Sequence, residues 1–147
     1  MKKLFVIVTM CMLFLNACTP KEGIEVRDGW VRMAGQGDNG AVYFTIVNYD
    51  ADDELVGASV DFAEAVEIHE SAMENDVMQM RMVESVPLPT GEKVEFAPGG
   101  LHIMLINLSR SLEVGETVNI TLHFKNHADI PLTLPVQMGP EHSGHGG

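Results

Sequence analysis

An all-β domain, built as an antiparallel sandwich or barrel, is the fold class this sequence predicts, on three observations. Short runs rich in β-branched and aromatic residues recur along the chain. Clusters of Gly, Pro, Asn and Asp separate them, and no stretch carries a convincing amphipathic-helix pattern. The chain after the leader is about 130 residues, one domain's worth and large enough to bury a core unaided.

Taken in order, the first strands are expected over 24–33 and 40–48, the second reading Gly-Ala-Val-Tyr-Phe-Thr-Ile-Val-Asn, with Gln36–Gly40 as the loop between them. Tyr49–Asp53 turns the chain into strands at 55–60 and 65–70. Glu74-Asn75-Asp76 makes a hairpin turn into 77–83. Pro87–Gly91 and Pro98–Gly100 bracket a short strand at 93–96. Residues 101–108 form a near-continuous apolar run, as expected of a strand buried on both faces. Glu113–Glu116 turns into 118–124, and 130–136 completes the domain. The last stretch, from Met138 to Gly147, has little to bury and reads as a mobile tail.

The leader sets the compartment. Lys2 and Lys3 precede an apolar run from Leu4 to Leu15, which ends Leu15-Asn16-Ala17-Cys18. That segment is too short, and too soon followed by Thr19-Pro20-Lys21-Glu22, to span a bilayer; it reads as a secretory signal. The Leu-x-Ala-Cys ending resembles a bacterial lipobox. It divides the chain into a signal at 1–17, a lipidated Cys18 with a tether through residue 23, the domain at 24–137 and the tail at 138–147. Diacylglycerol with an N-acyl chain would anchor the protein stably to a membrane. Thr19 rather than Asp after the cysteine points to the outer membrane where a cell has two. Cys11 leaves with the signal and Cys18 is acylated, so the mature domain has no thiol for a disulfide, a nucleophile or a thiolate ligand. Loss of Lys2 and Lys3 leaves 7 basic against 21 acidic residues, a net charge near −14. That balance argues against nucleic acid as a partner and favours cations.

Two imidazoles and two thioethers stand out: His69, Met80, His102 and Met104, spaced His-x10-Met-x21-His-x-Met. Thioethers suit Cu(I), which also accepts neutral imidazole. His102 and Met104 are two apart and leave the same face of a strand. His69 and Met80 lie on opposite arms of the hairpin that turns at Asn75-Asp76. A tight turn would place Met82 opposite His69 and a longer one Met80, so Met78, Met80 and Met82 stay open on geometry alone. Seven methionines follow the signal, and Met73, Met78, Met80 and Met82 fall within ten residues. Leu or Ile would fill a core with better-defined rotamers. The three besides Met80 are expected in part to pack, with any remainder free for intermediate copper sites.

The chain from about 24 to 137 resembles the PCuAC family of bacterial periplasmic copper chaperones. The resemblance rests on Trp30-Val31-Arg32, Ala41-Val42-Tyr43-Phe44, Leu55-Val56-Gly57-Ala58-Ser59, Glu67-Ile68-His69-Glu70, 73–81 and Pro98–Leu105. The family motif His-x10-Met-x21-His-x-Met fits without insertion or deletion. The resemblance implies a cupredoxin-like β-sandwich and an exposed Cu(I) site made by His69, Met80, His102 and Met104. It also implies delivery of copper toward the dinuclear centre of cytochrome c oxidase, through an oxidase subunit or a Sco-type partner.

Other readings are weaker. A blue-copper electron carrier needs a cysteine thiolate, and the domain has none. Envelope copper sequestration uses the same ligands without an acceptor. No nucleophile elbow and no His-Glu-x-x-His is present, so no enzyme is expected. His142 and His145, with Met138, are a candidate second site for Cu(II) or Zn(II), set against a tail that binds nothing. His123 and His127 read as surface residues.

Overall fold

A computed structural model describes residues 21–139. Ten strands make up the described chain: β1 Ile24–Arg32, β2 Gly40–Asn48, β3 Asp53–Ser59, β4 Ala63–Glu74, β5 Val77–Met82, β6 Val86–Leu88, β7 Lys93–Phe96, β8 Leu101–Leu108, β9 Thr117–Phe124 and β10 Ile130–Gln137. No helix occurs among the described residues. Cys18, His142, His145, the signal and most of the tail lie outside them.

The strands follow the order β5-β4-β8-β7-β2-β1-β10-β9-β3-β6, with β8 also paired to β2. Nearly all pairings are antiparallel; β1 meets β10 in parallel at Val31 and Val136, which joins the two halves of the sheet. One apolar core draws on both halves. Val42, Phe44 and Ile46 of β2, Ile68 of β4 and Ile103 and Leu105 of β8 come from one half. Leu55 of β3, Ile120 and Leu122 of β9 and Leu134 of β10 come from the other. The result is the sandwich that the alternation predicted, because each strand turns every second side chain inward.

Two expectations needed correcting. Val86–Leu88 is a strand, although Pro87 and Pro89 made it read as a turn. It lies at the sheet edge, paired only with β3, where a proline removes no interior ladder bond. β8 is not buried evenly on both faces: Ile103, Leu105 and Leu108 are buried, Met104 is half-buried and Asn107 is exposed.

The β4–β5 hairpin decides the position of the methionines. Glu74 pairs with Val77, so only Asn75 and Asp76 form the loop, with φ of 50° and 62°. Positive φ at both central residues is the tight turn whose twist matches the flanking strands, and Asn and Asp tolerate it. β8 pairs with β4 only as far as Glu70 opposite Leu101. From Ser71 to Met80 the hairpin therefore runs on as a two-stranded ribbon. All six residues of β5 are exposed, and so are Met73, Met78, Met80 and Met82, at 63, 54, 54 and 61 %. None of the four packs in the core.

At the far end of the sandwich Asp53, 8 % exposed, ties β3 to the turn after β9. Its carboxylate accepts the backbone N–H groups of Glu54 (2.7 Å), His127 (2.8 Å) and Asn126 (3.0 Å). Burial by itself would raise its pKa, but these donors outweigh burial and hold the carboxyl below its ordinary 3.8. Asp53→Ala leaves the donors unpaired and is expected to cost about 2–3 kcal/mol in urea denaturation at neutral pH. A folded pKa below the unfolded one means the contribution is complete above about pH 4 and fades as acid protonates the native carboxylate. The gap between wild type and variant should therefore close on going down through that range.

Candidate metal centre

A single step of strand parity separates the site from the core. Ile68 and Ile103 pair and face inward, while the next pair, His69 and His102, faces the other way. Glu67 opposes Met104 on the same outer face, and Met104 in turn opposes Ala41 of β2. Directly paired residues share a face, and so do residues two apart. That face therefore carries His69, His102, Met104, Ser71, Met73, Met78, Met80 and Met82 together.

The face is not openly solvated around the histidines. Trp30 stacks on Tyr43 with ring centroids 4.6 Å apart, and Tyr43 stands 6.3 Å from His102. This aromatic wall leaves His102 only 5 % exposed. The His69 and His102 rings are 5.8 Å apart. An imidazole bound through nitrogen puts its ring centre about 3.2 Å from the ion, so two rings on one ion stand roughly 5–6.4 Å apart. The observed separation falls within that window.

The hydrogen bonds decide which nitrogens are free. A carboxylate only accepts, so His69 donates Nε2–H to Glu67 Oε2 at 2.7 Å and its Nδ1 holds the lone pair. Nδ1 is buried and has no hydrogen-bond partner, a costly state for a polar atom unless something else occupies it. His102 uses the opposite nitrogen. Its Nδ1–H donates to the Gly100 carbonyl at 3.1 Å, which leaves Nε2 as the lone pair. Burial lowers the pKa of His102 first, and the neighbouring His69 lowers it further, against the Gly100 contact. The imidazole is therefore neutral at physiological pH, the form a metal needs. Both rings are held from behind in the manner of metal-ligating histidines.

Methionines stand on the same face. A cleft of about 490 Å3 is lined by Tyr43, Met78, Met80, His102 and Met104. Clefts of similar size beside Arg110 and beside Asn107 have neither a thioether nor an imidazole in their walls, so chemistry rather than volume distinguishes this one. The tight turn pairs His69 with Met82, and Met80 with Ser71 one rung farther out. Met80 is thus diagonal to His69, within reach of a long side chain. It lines the cleft, whereas Met82 does not.

The other candidates stand apart. Met138 is exposed at the end of the described chain. His123 contacts Ser59 Oγ and Asp129 Oδ2, each at 2.9 Å, and His127 donates to the Ala128 carbonyl. Both are on the other half of the sandwich. Sequence reading missed Glu67 and Gly100. Each lies two residues before the histidine it holds, a same-face spacing on a strand that was visible from the start.

The model of the LpqE-like family of candidate lipoproteins matches residues 24–136. The chain belongs to that family. A candidate lipoprotein of Leifsonia xyli subsp. xyli, Lxx21020, is 32 % identical over 137 residues, 88 % of this chain and 82 % of the relative. Among solved structures, the copper-bound PCuAC domain from PmoF2 is similar with a TM-score of 0.66 and 25 % identity, over 80 % of this chain and 93 % of that one. The solution structure of CuI-DR1885 from Deinococcus radiodurans has a TM-score of 0.54 and 28 % identity, over 77 and 78 % of the two chains. This LpqE-like protein thus has a PCuAC-type domain with a cupredoxin-like fold.

Glu67 gives a direct check on the centre. Removal of its carboxylate frees the His69 ring to rotate and to carry its proton on either nitrogen. Glu67→Ala is expected to weaken metal binding about 10- to 100-fold in a competition titration, with the thermal midpoint of the fold little changed.

Proposed function

We propose that this LpqE-like protein is an extracytoplasmic Cu(I) metallochaperone, with His69, Met80, His102 and Met104 as its ligands. The observation that carries the reading is the pair of histidines. Each has one nitrogen tied down and the other left with a lone pair, beside thioethers on the same face. Two neutral nitrogens and two neutral sulfurs suit a soft monovalent ion, and no thiolate is present to support a blue-copper centre. Copper in the PmoF2 and DR1885 relatives supports the same choice.

The protein does not transform its cargo. The half-exposed Met80 sits at the rim, so a ligand from an acceptor can bind the ion there before the less exposed histidines release it. The chemistry is ligand exchange at constant oxidation state. Acylated Cys18 holds the domain at a membrane, as the lipoprotein description of the family and of the Leifsonia relative supports. The acceptor in this reading is the dinuclear copper centre of cytochrome c oxidase, reached directly or through a Sco-type protein. Met138, His142 and His145 form a weaker site for Cu(II). The lipobox supports one rival, because Thr19 points to the outer membrane and an outer-membrane tether suits copper sequestration better than delivery to an inner-membrane oxidase.

Anaerobic Cu(I) competition with X-ray absorption on the protein tests the ligand set. The wild type should show two nitrogen and two sulfur neighbours, and His69→Ala with Met80→Ala should lose tight binding. Met80→Leu should weaken binding far more than Met82→Leu; the reverse order would move the third ligand to Met82. A strain deleted for the protein separates the destinations. Loss of oxidase activity that added copper restores supports delivery, whereas copper sensitivity with normal oxidase supports sequestration.

A further inference from the structure

We infer that the ribbon tip holds a second, weaker Cu(I) site, made by Met73 and Met78 with Met80, through which copper enters and leaves the inner centre. This inference rests on the inner Cu(I) site proposed above and extends it outward.

The register places the three sulfurs together. Met73 of β4 is directly opposite Met78 of β5, on the first rung but one from the turn. Met80 follows Met78 by two residues and is diagonal to Met73, so all three stand on one face within reach of a single ion. Met80 also lines the cleft with His102 and Met104. Met78 lines the cleft too, but it pairs one same-face step farther from His69, so Met80 is the nearer thioether and the one the two sites share.

The exposure of these residues has no packing explanation. All three side chains are more than half exposed, on a ribbon that has left the sheet and has no apolar layer beneath it. The opposite face of the same hairpin has Arg81 bound to Glu70 at 2.6 Å, Gln79 opposite Ala72, and the exposed Val77 opposite Glu74, with no sulfur among them. Both faces are equally open to water, yet only the one continuous with the histidines carries thioethers. Exposed methionine gains nothing in stability over a polar residue, but it supplies soft, neutral sulfur. Glu74 and Asp76 at the turn add negative charge that draws cations toward the tip.

Transfer inward is balanced ligand exchange. As the ion moves from tip to centre it keeps Met80, gives up Met73 and Met78, and gains Met104 and the two imidazoles. It stays Cu(I) throughout. No proton moves, since the thioethers are neutral and both imidazoles already offer a lone pair. Three thioethers bind Cu(I) less firmly than the mixed set that includes two imidazoles, which gives the path its inward direction. An acceptor's ligand at the tip would reverse it.

The test uses the full-length protein with selectively methyl-labelled methionine, titrated anaerobically with Cu(I). Met73→Leu with Met78→Leu is an exposed, nearly isosteric change that should leave the fold intact. The wild type should bind one tight and one weaker equivalent, and the weaker one should shift the Met73 and Met78 methyl signals. The double variant should lose the weaker equivalent, keep the tight one at unchanged affinity, and release copper to a chelator several-fold more slowly. His102→Ala should show the converse, with the tight equivalent lost and the Met73 and Met78 shifts kept. A single equivalent in the wild type, or a second that persists in the double variant, would overturn the tip site and leave the inner centre standing. Unchanged release kinetics would overturn its role as the path. No Cu(I) binding by the wild type would sink both readings.

Discussion

A β-strand has two faces and a period of two, and the whole arrangement depends on how β8 divides them. Ile103 and Leu105 lock this strand into the core, while His102 and Met104 are thrown to the other side by the same backbone. β4 repeats the division with Ile68 inward and His69 outward, in register with β8. The packing that stabilises the sandwich thereby fixes the backbone positions from which the two imidazoles project, because neither strand can shift there without moving a fully buried neighbour. Rigid strands rather than loops carry both imidazoles.

The methionines obey a different rule. β4 and β5 continue past the end of β8, so the thioethers stand on a ribbon held by its own ladder and by the tight turn at Asn75 and Asp76. Elements with few buried contacts open most readily. In the proposed centre the imidazoles lie behind and the exposed thioethers in front, an order that would suit one-sided exchange at the rim. The hydrogen bonds from Glu67 and Gly100 belong to the rear. They orient the lone pairs, so a metal bound there would not have to order the rings.

Much of the fold was legible because alternation is a local signal. The strands around Val42-Tyr43-Phe44 and Ile103-Met104-Leu105 follow from apolar side chains two apart, and turn residues mark most of their ends. β6 was not legible, since an edge strand that contains Pro87 and is followed at once by Pro89 carries the same composition as a turn. The projection of the hairpin was equally hidden. Nothing local says where β8 stops supporting β4, and so the expectation that some of the methionines pack in the core was reasonable from composition and wrong in place.

By itself the sequence determined the class of fold, the presence of paired imidazole and thioether side chains, and the absence of any cysteine after Cys18, since residue identity and short-range period carry all three. The His-x-Met pair on β8 needed only the two-residue repeat of a strand. Tertiary structure alone decided which nitrogen of each histidine is free, that Trp30 and Tyr43 wall the site, and that Met82 rather than Met80 lies opposite His69. Those outcomes depend on register between strands distant in sequence. Register is set by the turn and by the packing of the entire sheet, and no local pattern encodes it.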